Sequence, residues 1–173
     1  MLCVASSGIA ALLLPSGHTA HSTFHIPIDN LDADSLCNVS KQDKHAELLR
    51  AVDLIIWDEA LTQSRFTHEA LDRTLQDICE NEFALFSGKT VVLGGDFQQT
   101  LPIQPNSSQE DVINISLPCS PLWKHFQVRS LFSLSRLSSE NSFMDTIPNS
   151  VSYDKHAIIA FYRGRASLCS MVA

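Results

Sequence analysis

The sequence predicts an α/β fold in which a mostly parallel sheet is flanked by helices, and three observations predict it. Two apolar runs, VDLIIWDEA from Val52 to Ala60 and TVVLGGDFQQTLPI from Thr90 to Ile103, each stop abruptly on acidic and amide residues. Buried parallel strands read as near-continuous hydrophobic runs, and ligand sites in open α/β sheets lie outside the carboxyl ends of the strands. Between the two runs lies an amphipathic helical pattern, so strand, acidic turn, helix and strand alternate as right-handed crossovers require. Asp58, Glu59, Asp96 and Gln99 are therefore expected to converge on one crevice.

Taken in order, Met1 to Ala5 reads as a short buried strand. Ser6-Ser7-Gly8 then opens a helical apolar run, Ile9 to Leu14, which Pro15 and Gly17 end. Gly17 to Pro27 is polar and histidine-bearing, and Asp29 to Asp43, rich in Asp, Asn and Ser, reads as a long surface loop of a kind that is often functional. A short helix from Lys44 to Ala51, with Ala46, Leu48 and Leu49 inward, delivers the chain into the Val52 strand. Phe66, Ala70, Leu71, Leu75, Ile78 and Cys79 recur at helical spacing, while Glu69, Asp72, Arg73, Gln76, Asp77 and Glu80 take the outward positions. The next strand covers Thr90 to Leu93, and Gly94 and Gly95 are expected to let the backbone turn sharply at its end. Beyond a loop at Pro105 to Asp111, Leu122 to Phe126 suggests a helical turn and Val128 to Leu134 another strand. After Ser138 the character changes, and Ala157 to Tyr162 is the one plausible strand. The expected organisation is one domain over residues 1–137 and a divergent tail over 138–173.

Composition narrows the function classes. With 173 residues, 45% of them hydrophobic, the chain can bury one core of ordinary size. A formal net charge of −7 argues against a wholly basic nucleic-acid binder, yet a local groove can still hold a strand through backbone contacts and stacking. The five cysteines are scattered, odd in number and without a C-x-x-C pair, which disfavours a zinc site or disulfide framework and fits a reducing intracellular compartment. The N-terminal apolar run is too short for a membrane span and lacks the positive flank of a secretory signal, so no membrane partner is expected. His18, His21 and His25 invite a metal reading, but no carboxylate or thiolate is placed with them.

Hydrolysis of a nucleotide triphosphate needs a magnesium ion held by hard oxygen ligands and a carboxylate that orients the attacking water. A strand ending in Asp-Glu supplies both. Successive side chains at a strand end point in different directions, so Asp58 can reach a metal through water while Glu59 faces a γ-phosphate and Trp57 packs beneath. The plainer alternative is a strand-to-loop exit without chemistry. In the second run, a carboxylate and two amides, Gln98 and Gln99, fall just past a strand end, where a Gln can hydrogen-bond a phosphate oxygen or a water.

These segments together resemble a known family. ASSGIAALLLPSGHTAHSTFHIP, LLRAVDLIIWDEA, FTHEALDRTL, GKTVVLGGDFQQTLPI and LWKHFQV look like consecutive pieces of the Pif-type (petite integration frequency) helicases, ATP-dependent 5′→3′ DNA helicases of superfamily one with relatives encoded by Helitron transposons. The resemblance runs from about Cys3 to Leu137 and implies an incomplete RecA-like, P-loop NTPase domain. It implies that Asp58 and Glu59 are the Walker B pair, Asp58 assisting Mg2+ and Glu59 acting as catalytic base on ATP. It implies that Gln99 senses the γ-phosphate, and that Asp96 in the same motif couples it to the DNA strand. Ser6, Ser7 and Gly8 match the motif beside the single-stranded DNA path, and Thr19, His21, Ser22 and Phe24 match the segment that lines it. Arg136 is the nearest counterpart of the arginine that reaches the γ-phosphate from the next domain, although Leu134 and Ser135 precede it where the family reads Asn-Met. The implied partners are single-stranded DNA or a duplex with a 5′ tail, in DNA repair, recombination and telomere maintenance. The implied compartment is the nucleus, with the mitochondrion as the other option.

Two departures from the family temper this expectation. No G-x-x-x-x-G-K-[ST] loop occurs in the 173 residues, and no second RecA-like domain follows. A smaller departure is Leu61, where the family usually has Pro. The expectation is thus a helicase-type domain inactive alone, with an exposed sheet edge where the loop-bearing strand is missing. The alternatives are a non-catalytic or transposon-derived remnant that at most binds single-stranded DNA or a partner, and a metallophosphoesterase, whose D-x-H and G-N-H elements are absent.

Overall fold

The computed structural model describes residues 1–96, 102, 108–133 and 154–162. Six strands, β1 (Leu2–Ala5), β2 (His18–Thr19), β3 (Leu54–Asp58), β4 (Thr90–Gly95), β5 (Gln127–Ser133) and β6 (Asp154–Tyr162), form one sheet in the order β2-β1-β3-β4-β6-β5. The first four in that order are mutually parallel, while β6 runs antiparallel to both of its neighbours, so β5 points the same way as β4. The helices are α1 (Gly8–Leu13), α2 (Ala20–Phe24), α3 (Lys44–Ala51), α4 (Arg65–Cys79) and α5 (Gln109–Asn114). This is the α/β architecture expected from the apolar runs.

Side chains alternate across the sheet. Val4, Trp57 and Leu93 stand in register, as do Ile55 and Val91, and all five are buried on one face. Against that face pack Ala70, Leu71, Leu75 and Ile78 of α4, Ala46 and Leu49 of α3, and the rings of Phe24 and Phe86. Fully burying an apolar side chain of this size contributes about 1.5–3 kcal/mol, so these contacts dominate the stability of the domain. Ala5 points the other way and packs with Ala10 and Ala11 of α1, which places α1 across the sheet from α4.

Several expectations need correction. Leu48 is half exposed, and α3 turns Ala46 and Leu49 inward instead. On α4 the acidic pair Glu69 and Asp72 is buried although both sit in positions read as outward. Each has a partner from a distant segment: the Ser120 hydroxyl donates to Glu69 at 2.7 Å, and the Phe86 backbone N–H donates to Asp72. The 29–43 stretch has no regular element, but it is pinned at several points. Thr74 Oγ1 accepts from the Cys37 N–H at 2.8 Å, and both Nε and Nη2 of Arg73 donate to the Ser35 carbonyl. Within the stretch read as the 105–111 loop, Ser108 and Asp111 form a reciprocal capping box that starts α5. The edge of β4 is not open, because β6 pairs along it from Val91 to Gly95.

Gly94 and Gly95 continue β4 and do not turn the chain. What they provide is room. A Cβ at Gly95 would lie 2.8 Å from Leu61 Cγ, and one at Gly94 would lie 3.2 Å from Asp58 Oδ1. Leu61 is itself buried and cannot swing clear, so Gly95→Ala is expected to destabilise the fold by about 1–3 kcal/mol, as overpacked cores do. Urea unfolding checks this, with a midpoint equal to that of the parent counting against the close approach.

Candidate functional site

The β1–β3 ladder carries on past the last residue of β1. After the Ala5–Asp58 register pair, the Ser6 N–H donates to the Asp58 carbonyl at 3.0 Å. The turn after β1 is therefore held against the turn after β3. Trp57 Nε1–H donates to Ser6 Oγ at 3.0 Å, and the Ser6 hydroxyl donates to the Glu59 carbonyl at 2.8 Å. The Ser7 hydroxyl donates to Glu59 Oε2 at 2.7 Å, while the Glu59 N–H turns back to Asp58 Oδ1 at 2.9 Å.

Glu59 sits in the left-handed region, with φ of 53°. For a residue with a Cβ this conformation costs on the order of 1–3 kcal/mol, so the surroundings must enforce it. They do so through its carbonyl, which also accepts from Thr62 Oγ1 at 2.8 Å and from the Thr62 N–H at 3.1 Å.

The paired turns open on a cleft of about 640 Å³. Of the residues expected at the site, Ser6, Ser7, His21 and Glu59 line it. Burial holds the His21 imidazole below its ordinary titration range, favouring the neutral ring at the cleft wall. Gly8 is exposed at the start of α1. Thr19 caps α2, and its hydroxyl and that of Ser22 are engaged with each other outside the cleft. Phe24 offers no ring face to a strand, because it is fully buried with its centroid 5.7 Å from that of Trp57. Asp58 lies on the face opposite Trp57, and Asp96 is half-buried just past β4. Gln98, Gln99 and Arg136 lie outside the described residues.

The sequence reading missed the far wall, where Thr62, Gln63, Ser64 and Phe66 face the cleft. The polar run directly after Asp58-Glu59-Ala60 was the available signal. It also missed Ile28, just before the long loop, and Leu31 within it, apolar residues that carry no periodic pattern.

Asp58 offers one carboxylate to a metal ion. Oδ1 is held by the Glu59 N–H, and glycine at position 94 keeps the space beside the carboxylate clear. Among the described residues no group of three or more His, Cys, Asp or Glu is arranged to hold a metal. The tripeptide Gly88-Lys89-Thr90 is not a phosphate cradle. Lys89 is buried at the opposite end of β4, and its ammonium donates to the carbonyls of Arg50 at 3.0 Å and Val52 at 2.7 Å.

Comparison with known proteins accords with this fold. Bacteroides Pif1 helicase in complex with ADP-AlF3 and ssDNA superposes with a TM-score of 0.61 at 25% identity, over 71% of this chain and 29% of that one. Unliganded Pif1 from Bacteroides sp gives 0.59 at 26% identity with the same coverage of both chains, and Bacteroides Pif1 bound to ssDNA gives 0.53 at 29% identity, over 66% and 25%. The matched region thus spans 25–29% of the length of these helicases. Comparison with curated protein sequences returned no match. The four parallel strands and their helices are those of a RecA-like α/β domain. The chain belongs to the PIF1-like helicase family, whose model matches residues 1–165.

Beneath the site, His68 is completely buried and stacks on Trp57 at 4.5 Å between centroids, with Nδ1 against the Ser64 carbonyl. Burial pushes its titration down from 6.5 to about 4. Because the unfolded chain takes up this proton first, stability is full above the unfolded value and falls as pH drops from about 6.5 toward 4. The loss from this group is roughly 3 kcal/mol. His68→Phe is expected to flatten that dependence, and equilibrium urea unfolding at pH 7 and pH 4.5 checks it.

Proposed function

We propose that the chain is the strand-contacting and water-activating flank of an ATP-dependent DNA helicase that unwinds 5′→3′. The observation that carries this reading is the hydrogen-bonded pairing of Ser6-Ser7 with Glu59 at the carboxyl ends of adjacent parallel strands, facing one cleft. Family membership supports it, as do neighbours solved with ADP-AlF3 and ssDNA and one described as unwinding forked dsDNA.

In this reading Asp58 holds the magnesium of ATP through water, and Glu59 orients and deprotonates the attacking water. Gln99 and Arg136 contact the γ-phosphate. Ser6, Ser7, Gly8 and His21 border a single strand, with Thr19 and Ser22 shaping the turn beside it and Asp96 linking strand and nucleotide. When bound, magnesium neutralises charge on the phosphates. Repair, recombination or telomere maintenance, in the nucleus or the mitochondrion, is the setting the resemblance suggests.

A second reading, binding without turnover, is favoured for the 173-residue polypeptide by one observation. Among the described residues lining the cleft there is no Lys or Arg, and Lys89 is committed to backbone carbonyls. Phosphoryl transfer relies on oriented donors and cations worth several kcal/mol of barrier. The purified chain is therefore expected to show no DNA-stimulated ATPase above a Glu59→Gln control, and Glu59-dependent turnover would overturn that expectation. It is also expected to bind a labelled oligothymidylate through hydroxyl and backbone donors rather than cations. Fluorescence anisotropy checks this, and absence of binding at low salt would remove the DNA reading.

A further inference from the structure

Ser7 has one hydroxyl proton, and the structure shows where it goes. The oxygen accepts the Ala10 N–H at 3.2 Å as the N-cap of α1, and the proton is donated to Glu59 Oε2 at 2.7 Å. Two other hydroxyls touch Glu59, those of Ser6 and Thr62, and both donate to its backbone carbonyl. Among the described residues Ser7 is thus the hydroxyl that engages the Glu59 side chain. Both residues line the cleft and are half-buried, within reach of an incoming ligand.

An ionised carboxylate is acceptor-only, and so is a phosphodiester oxygen, while a serine hydroxyl is a single donor. The two acceptors must compete for it. A phosphate that takes the Ser7 hydrogen bond takes it from Glu59, and the Oε2 lone pair this vacates becomes available to a water. Because the Ser7 oxygen stays anchored at the N-cap, the exchange needs a rotation about the C–O bond and no movement of the backbone.

We propose that Ser7 is a latch on Glu59: its hydroxyl holds the carboxylate in the strand-free protein and transfers its hydrogen bond to a backbone phosphate of a single strand entering the cleft. This rests on the reading that a strand occupies the cleft. It makes Ser7 a positioning residue that ties strand binding to release of the water-activating carboxylate.

A double-mutant cycle on the full chain tests it, with Kd for labelled oligothymidylate measured by anisotropy. Ser7→Ala is expected to weaken binding about fivefold, the loss of one hydrogen bond. Glu59→Ala is expected to tighten binding about tenfold when Ser7 is present but only about twofold to threefold when it is absent, leaving a coupling of threefold or more. Ser7→Thr, which keeps the hydroxyl, is expected to bind like the parent. Ser7→Gly, better tolerated at an N-cap than Ala, replaces Ser7→Ala if that variant does not fold. Additive effects, or unweakened binding by the hydroxyl-free variant, would overturn the latch while leaving the DNA reading intact. Failure of every variant to bind at low salt would overturn both. Inorganic phosphate displacing the oligothymidylate at an equal phosphate concentration would overturn the strand as the source of the competing group.

Discussion

The parallel register of β1 on β3 is the constraint on which the rest of the site depends. Pairing Ala5 with Asp58 means that both strands end at the same level, so one further ladder bond, from the Ser6 N–H to the Asp58 carbonyl, locks the two following turns together. A slip of one residue would turn one strand's side chains over relative to the other's, so that Val4 and Trp57 could no longer share the buried face. The burial of Val4, Ile55 and Trp57 therefore specifies the register, and the register places Ser7 beside Glu59. Site geometry here is a by-product of core packing.

Trp57 joins the two levels. Its ring belongs to the core, between Phe24 and His68, while its indole N–H reaches out to Ser6 Oγ. Ser6 passes the constraint on to the Glu59 carbonyl, and Thr62 closes it from the other side. Left-handed backbone at a non-glycine residue persists only where such contacts over-determine it. Glu59 is held from both sides at its carbonyl, so its side chain starts from a fixed backbone.

What could be read from the residues follows the range of the interactions involved. The β3 and β4 runs, the acidic turn and the apolar stripe of α4 were legible because strand and helix periods are local properties. Glu69 and Asp72 were misplaced because their partners, Ser120 and the Phe86 N–H, lie 51 and 14 residues away and no period announces them. Gly94 and Gly95 were legible as significant but not for the right reason, since their role is space for Asp58 and Leu61 rather than freedom of the chain. At the site, Asp58 and Glu59 were legible from a strand ending in two carboxylates. The contact between Ser7 and Glu59 was not, because it depends on which strands become neighbours.

The position of β6 bears on what this site can do by itself. The strand fills the slot between β4 and β5 and opposes both, with Ile158 opposite Gly95 and Tyr162 opposite Val91. Its N-terminal end therefore lies at the carboxyl edge of the parallel strands, where Glu59 and Asp96 are. A parallel strand in that slot would deliver its following turn, and the N–H groups at the start of the next helix, to this edge, which is how α/β folds cradle phosphate. An antiparallel strand delivers its own entry instead. The described part of the site accordingly offers carboxylates and hydroxyls, groups that hold a metal-bound water or contact a strand.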